Sequence, residues 1–250
     1  MSSTLNSTLF IHAVRLKRDA ISDPGAYPFS VPAVQALSRM PMRAPVTILV
    51  GENGSGKSTL LEAIAAAYGF NPEGGTLNFR FATRESHSPL HEYLVIERGV
   101  RRPRNGFFLR AESFFNVATE IDRLGAVHAY GGVSLHEQSH GESFLTLVTE
   151  RFGANGLYIL DEPEAALSPS RQLALLVRMH DLVQAGSQFI LATHSPLLMA
   201  FPGAAILSWE DGEIREAEYE DTEHYQVSRR FLMDHKGVLR KLLDAGSAEA

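Results

Sequence analysis

Val46-Thr47-Ile48-Leu49-Val50 runs straight into Gly51-Glu52-Asn53-Gly54-Ser55-Gly56-Lys57-Ser58-Thr59, after which Leu60, Leu61, Ile64 and Tyr68 recur at helical spacing. An unbroken run of apolar and β-branched residues reads as a buried strand and the 3.6-residue recurrence as a helix, so the glycine-rich stretch is the turn between them. That turn fits G-x-x-x-x-G-K-[ST] at every fixed position. Gly51, Gly54 and Gly56 allow backbone conformations closed to other residues, which lets successive N–H groups of residues 51–59 converge on phosphate oxygens at the positive end of a helix. Lys57 adds a mobile charge for the β- and γ-phosphates, and Ser58 a hydroxyl for magnesium.

The chain has 250 residues, 44% of them apolar, which suits one large α/β domain over residues 1–250 with a sizeable core. A net charge of -6 argues against non-specific affinity for nucleic acid or anionic membranes, although a local basic patch can still act. With no cysteine, disulfides and thiolate zinc sites are excluded. No apolar run reaches the ~18 residues of a membrane span, and the start lacks a secretory pattern, so the expectation is a cytoplasmic protein whose membrane association would need a partner.

Alternation predicts a strand over Leu9 to Arg18, then a Pro- and Gly-punctuated stretch from Asp23 to Pro45. Leu77 to Asn116 reads as strand-rich around Tyr93-Leu94-Val95-Ile96 and Phe107-Phe108-Leu109. Helical patterns cover Phe144 to Arg151 and Arg171 to Val183, Asp211-Gly212 marks a hairpin, and Tyr225 to Leu243 predicts a terminal helix. Strands alternating with helices imply a mainly parallel sheet covered on both faces.

A second site-forming segment is Leu157-Tyr158-Ile159-Leu160-Asp161-Glu162-Pro163. Its apolar run reads as a central strand that delivers two carboxylates to the rim where open α/β sheets bind ligands, a Walker B arrangement. Asp161 would hold the magnesium, and Glu162 would orient and deprotonate the attacking water.

Between these segments, Gln138-Ser139-His140-Gly141-Glu142 resembles the LSGGQ signature of ABC-class ATPases, with Ser139 and Gly141 on its informative positions and Gly141 standing 20 residues before Asp161. Ala165-Ala166-Leu167-Ser168 resembles the D-loop of that family. Gln188-Phe189-Ile190-Leu191-Ala192-Thr193 then delivers His194, similar to its switch histidine. The resemblance implies a P-loop NTPase fold with three layers, a mainly parallel sheet, an antiparallel β subdomain and a helical signature subdomain. It also implies ATP and Mg2+ as cofactors, and an ATP-dependent homodimer in which Ser139 and Gly141 of one copy complete the phosphate site of the other. Catalysis would rest on Lys57, Glu162 and His194, nucleotide binding on residues 51–59, and the metal on Ser58 and Asp161. Ser139 also suits a helix N-cap, with Glu142 completing a capping box.

This chain departs from that pattern at Gln138, where the family has an apolar residue, and at His140, which replaces a glycine. No glutamine marks a Q-loop, and Glu112 stands in its place or is a solvated loop acid. Tyr27 or Phe29 stacks on adenine or belongs to the core. The stretches after Thr193 resemble small stand-alone bacterial predicted ATPases of the AAA_21/ABC type, which implies no substrate.

Two classes of function follow: a soluble ATP-driven switch, and the nucleotide-binding subunit of a membrane transporter. Arg98, Arg101, Arg102, Arg104 and Arg110 cluster in an otherwise acidic chain, as a nucleic-acid-binding maintenance ATPase or a solvated hairpin would have them. Acidic residues between Glu210 and Glu223 read as a solvated edge. A guanine-specific reading finds Asp122-Arg123-Leu124-Gly125 after no apolar strand and no N/T-K-x-D beyond the P-loop.

Overall fold

The computed structural model describes residues 8–77, 88–112, 114–123, 125, 128, 134–137, 139–210 and 212–246. In chain order the strands are β1 (Ile11–Leu16), β2 (Arg39–Pro41), β3 (Val46–Val50), β4 (Gly75–Thr76), β5 (Leu94–Arg98), β6 (Asn105–Arg110), β7 (Gly156–Asp161), β8 (Gln188–Ala192), β9 (Ala205–Glu210) and β10 (Glu213–Ala217). The helices are α1 (Pro32–Gln35), α2 (Lys57–Tyr68), α3 (Phe114–Arg123), α4 (His140–Arg151), α5 (Pro169–Gln184), α6 (Pro196–Met199), α7 (Glu223–Met233) and α8 (His235–Gly246).

Seven strands form one sheet in the order β10-β9-β3-β8-β7-β6-β4, parallel from β9 through β6 and antiparallel at both edges. β3, β7 and β8 are buried along their whole length because both of their faces are covered, which is why they read as unbroken apolar runs. Val46, Ile48, Tyr158, Leu160, Phe189 and Leu191 point to the face covered by α3, α4 and α5, where Ile121, Phe144, Leu147, Leu175 and Met179 meet them. Leu49, Leu157, Ile159 and Ile190 point the other way, onto Leu60, Leu61 and Ile64 of α2. Beyond α2 lies a three-stranded antiparallel sheet, β2-β1-β5. The expected α/β fold, with a mainly parallel sheet and a separate antiparallel one, is therefore present.

Three elements differ from the sequence reading. α3 begins in the last three residues of the stretch expected to be strand-rich and runs on beyond it, since Phe114, Val117, Ala118 and Ile121 bury one helical face. α4 begins at His140, ahead of the helical pattern read from Phe144 but where the expected N-cap at Ser139 and its capping box with Glu142 place it: Glu142 Oε2 accepts from the Ser139 N–H at 3.1 Å and from its hydroxyl at 2.6 Å. The single terminal helix is two helices: Asp234 leaves helical geometry (φ -147, ψ 61), and its Oδ1 accepts the Gly237 N–H at 3.0 Å to start α8. The β9–β10 hairpin falls where expected, with Gly212 at φ 75; Gln138 and Asp211 lie outside the described residues.

Gln188 joins the two sheets. It is 1% exposed, its Oε1 accepts the N–H groups of Phe10 and Ile11 at 2.8 and 2.9 Å, and its Nε2 donates to the Ile11 carbonyl at 2.9 Å. Gln188→Leu leaves these backbone groups buried and unpaired, each costing about 1–3 kcal/mol. Urea unfolding of the variant should show a loss of about 3 kcal/mol or more, and a loss under about 1 kcal/mol would refute this role.

Candidate functional site

The strand order decides what meets at the site. β8 lies between β3 and β7, with Leu49 and Asp161 both registered on Ala192, so the segments that follow all three strands emerge on one rim. From β3 comes the loop 51–56, where Gly56 takes φ 90 at the start of α2 and a Cβ there would lie 2.7 Å from Val31. Only glycine satisfies both conditions. Glu52 and Asn53 are exposed on this loop, while Ser55 is buried and its carbonyl accepts the Ala33 N–H at 2.8 Å.

Lys57 is 4% exposed, and its ammonium donates to the Gly51 and Glu52 carbonyls, both at 2.8 Å, and to Ser55 Oγ at 3.4 Å. Burial lowers its proton affinity, against the carboxylates Glu162, Asp161 and Glu164, which favour the charged form. Ser58, one residue on, donates its hydroxyl to Asp161 Oδ1 at 3.0 Å. Thr59 follows, half-buried in the first turn of α2.

Asp161 is 5% exposed at the end of β7. Burial pushes its carboxyl up to about 6; Arg110 and the Ser58 hydroxyl pull it part of the way back, while Glu162 and Glu112 add to the rise. Arg110 ends β6 in register with Asp161, and its guanidinium lies 3.4 Å from Asp161 Oδ2, 2.5 Å from Glu62 and 3.5 Å from Glu112. Arg110 thus belongs to this site rather than to a surface cluster. Arg98 and Arg101 are likewise tied into the fold: Arg98 donates to the Tyr68 carbonyl at 3.0 Å and stacks over the Tyr68 ring at 4.6 Å, and Arg101 donates to Asn155 Oδ1. A cavity of about 200 Å³ opens beside Ser58, Asp161 and Glu162 and is also lined by Glu112 and His140.

Glu162 adopts a left-handed backbone (φ 49, ψ 51) directly before Pro163, a costly conformation for a residue with a Cβ. Its N–H donates to the Ala192 carbonyl at 2.9 Å, and its own carbonyl accepts from the Ala165 N–H at 3.0 Å. Its Oε1 lies 3.8 Å from Nε2 of His194. Glu164 holds the chain on the other side, accepting the Thr193 hydroxyl at 2.7 Å and the His194 N–H at 2.5 Å. Gln172 completes the link, accepting the Ser195 hydroxyl at 2.5 Å and donating to the Leu167 carbonyl at 3.0 Å. Loop 163–168 and the histidine segment are therefore tied together by side-chain hydrogen bonds.

The start of α4 packs onto that unit. Gly141 is buried, and a Cβ there would lie 2.5 Å from Arg171 and 3.0 Å from the Ala166 carbonyl. Ser139 and His140 are exposed, and Arg171 pairs with Glu142 at 3.1 Å.

A cavity of about 370 Å³ lies over Gly51–Ser55, lined on its far side by Trp209, Thr222, Glu223 and His224. Neither Tyr27 nor Phe29 lines it. Tyr27 is 66% exposed, and Phe29 packs edge-on against Tyr93 with ring centroids 4.8 Å apart. Trp209 is the aromatic at this cavity, and its indole N–H has no partner among the described residues. Sequence spacing gave no sign of it, because β9 reaches the loop only by pairing beside β3.

A family model described as "AAA domain, putative AbiEii toxin, Type IV TA system" matches residues 125–200, and one described as "AAA domain" matches residues 38–106. The cytochrome c biogenesis ATP-binding export protein CcmA of Rhizobium johnstonii is 32% identical over 171 residues, 60% of this chain and 75% of that protein. The arabinose import ATP-binding protein AraG of Pseudomonas savastanoi pv. phaseolicola is 30% identical over 192 residues, 60% of this chain and 34% of that protein. Three longer transport relatives are spanned over 33%, 23% and 36% of their own length. Among solved structures, cbiO1 from Clostridium perfringens, part of the ABC transporter complex cbiONQ, is similar over 94% of this chain and 99% of that one, at 17% identity and a TM-score of 0.49.

The raised Asp161 carboxyl has a consequence for stability. Its folded-state value lies above its ordinary 3.8, so the group subtracts stability as pH rises from 3.8 to about 6, reaching about 3 kcal/mol by neutral pH. Asp161→Asn should therefore make the nucleotide-free protein more stable than wild type at pH 7 in urea unfolding, with the gain shrinking as pH falls toward 4. A variant less stable at pH 7 would contradict the assignment.

Proposed function

The chain belongs to the ABC-class P-loop ATPases, and on that premise we propose that it binds ATP with magnesium, hydrolyses it, and works as a switch in which two copies clasp two nucleotides head to tail. The observation that carries this reading is the meeting of Ser58 and Asp161 at 3.0 Å, with Lys57, Glu162 and His194 along the same rim. A hydroxyl and a carboxylate are hard oxygen donors of the kind magnesium takes. Among the described residues no group of three His, Cys, Asp or Glu side chains could enclose a metal, which fits an ion that draws its remaining ligands from phosphate and water. Ser58 and Asp161 would hold magnesium, which would supply positive charge to offset the negative charge of the phosphates.

The other groups then have defined work. The N–H groups of residues 51–59 receive phosphate oxygens, and Lys57 exchanges its two carbonyl partners for an anionic one. Glu162, the half-buried member of the carboxylate pair, orients the attacking water and accepts its proton, while His194 donates toward the γ-phosphate. Ser139 stands exposed at the free end of α4, where the phosphates of a second copy would meet helix N–H groups. Gly141 contributes by letting that helix end rest on Ala166, so a phosphate bound at Ser139 is felt through Glu164 at His194. Twofold symmetry closes such an assembly.

No described helix is long and apolar enough to cross a membrane. On this reading the chain works in the cytoplasm as a single ATPase domain, and a membrane partner is compatible but not required. The names of the import and export relatives favour a second reading, the nucleotide-binding subunit of a transporter. The nucleic-acid alternative is weakened by the internal contacts of Arg98, Arg101 and Arg110.

Glu162→Gln should keep ATP binding, lower turnover by roughly 100-fold or more, and accumulate a nucleotide-bound dimer in light scattering. Unchanged turnover would remove Glu162 as the base, and a variant that stays monomeric with saturating ATP would remove the clasp. Co-purification of a membrane protein with the trapped variant would favour the transporter reading. Lys57→Ala should weaken ATP affinity by roughly tenfold, about 1.4 kcal/mol, in equilibrium binding; unaltered affinity would contradict its role.

A further inference from the structure

A second histidine reaches the site from the far end of the chain. His224, in the first turn of α7, lines the cavity over Gly51–Ser55, and its Nε2 lies 3.0 Å from Nδ1 of His194, with ring centroids 5.2 Å apart. Resting on the ATPase reading above, we propose that His224 is a positioning residue for hydrolysis: its Nε2–H donates to His194 Nδ1 and holds His194 in the tautomer that carries hydrogen on Nε2, aimed at the γ-phosphate.

At 3.0 Å one ring must donate and the other accept. The rest of the site decides which. His194 Nε2 is buried, has no hydrogen-bond partner among the described residues, and lies 3.8 Å from Glu162 Oε1. If His194 donated through Nδ1, its Nε2 would turn a lone pair toward that carboxylate. With His224 as donor, an N–H faces the carboxylate instead, and the interaction changes from repulsion to attraction. That same N–H is the donor a γ-phosphate oxygen requires.

His224 is suited to remain a neutral donor. Burial lowers its proton affinity, the nearby His194 and Lys57 act in the same direction, and Glu223 opposes them. The backbone of His194 is fixed by its N–H bond to Glu164, which leaves the ring free to turn about its own side-chain bonds; the bond to His224 supplies that missing constraint. The arrangement repeats the logic in which a functional imidazole is oriented through its second nitrogen by another group. It also makes α7, joined directly to α8, a part of the hydrolytic site.

The test is 15N-histidine NMR on the full chain without nucleotide, combined with steady-state kinetics. The wild type should show His194 as the Nε2–H tautomer, and His224→Ala should give a mixture of tautomers. His224→Ala should lower kcat roughly tenfold or more with KM for ATP nearly unchanged, since the lost interaction acts in the transition state. His224→Gln, whose amide can still donate, should restore most of kcat, whereas the acceptor-only His224→Glu should not. In a His194→Ala background, His224→Ala should cost nothing further. An Nδ1–H tautomer of His194 in the wild type, or equal losses in the Gln and Glu variants, would overturn the proposal. Because the tautomer is read without turnover, a chain that fails to hydrolyse ATP sinks the functional reading while the NMR signal still decides the pairing.

Discussion

The register of three neighbouring parallel strands is the constraint on which the site depends. β3, β8 and β7 stack side by side, and the ladder pairs Leu49 with Ala192 and Ala192 with Asp161. Strands lie about 4.8 Å apart, so β3 and β7 are separated by roughly twice that distance. Ser58, carried forward on the first turn of α2, spans the gap to Asp161, and His194 emerges between them. A slip of one residue in any of these strands would send the terminal side chains to the opposite face of the sheet.

Holding these groups together has a cost that the rest of the fold absorbs. Asp161 is ionised at neutral pH only against its own burial, and Arg110 offsets part of that burden from the adjacent strand. Glu162 sits in a left-handed conformation before a proline, secured by bonds to Ala192 and Ala165. Such local strain persists where surrounding structure over-determines it, and here the surround is a sheet buried on both faces and a loop pinned by Glu164 and Gln172. The loop, the histidine segment and the start of α4 are thereby joined by hydrogen bonds and close packing.

Sequence patterns marked the parts of the candidate site that are local. Residues 46–59, 157–162 and 188–194 each combine a strand with its candidate terminus inside a short window, so apolar patterning placed the three strands, and the family resemblance added His194 at the end of the third. Trp209, His224 and Arg110 escaped the same reading for a shared reason. Trp209 reaches loop 51–56 through the pairing of β9 with β3, His224 reaches His194 through the return of α7, and Arg110 meets Asp161 through strand register; none of these is written in spacing along the chain. α3 is a different case. Phe114, Val117, Ala118 and Ile121 already fall at helical intervals, but the strand-rich reading ran on to Asn116 and left the residues beyond it unassigned. Gly141, read as a phosphate-facing glycine, has an internal reason as well, the closeness of Ala166 and Arg171.

The most direct test of the site is calorimetric titration of ATP into the wild-type chain, once with magnesium and once with a chelator. The expected result is one nucleotide per chain, bound markedly more tightly when magnesium is present, because on the proposed reading Ser58 and Asp161 would receive the metal. Equal affinity under both conditions, or no binding at all, would contradict the assignment of this rim as a magnesium–nucleotide site.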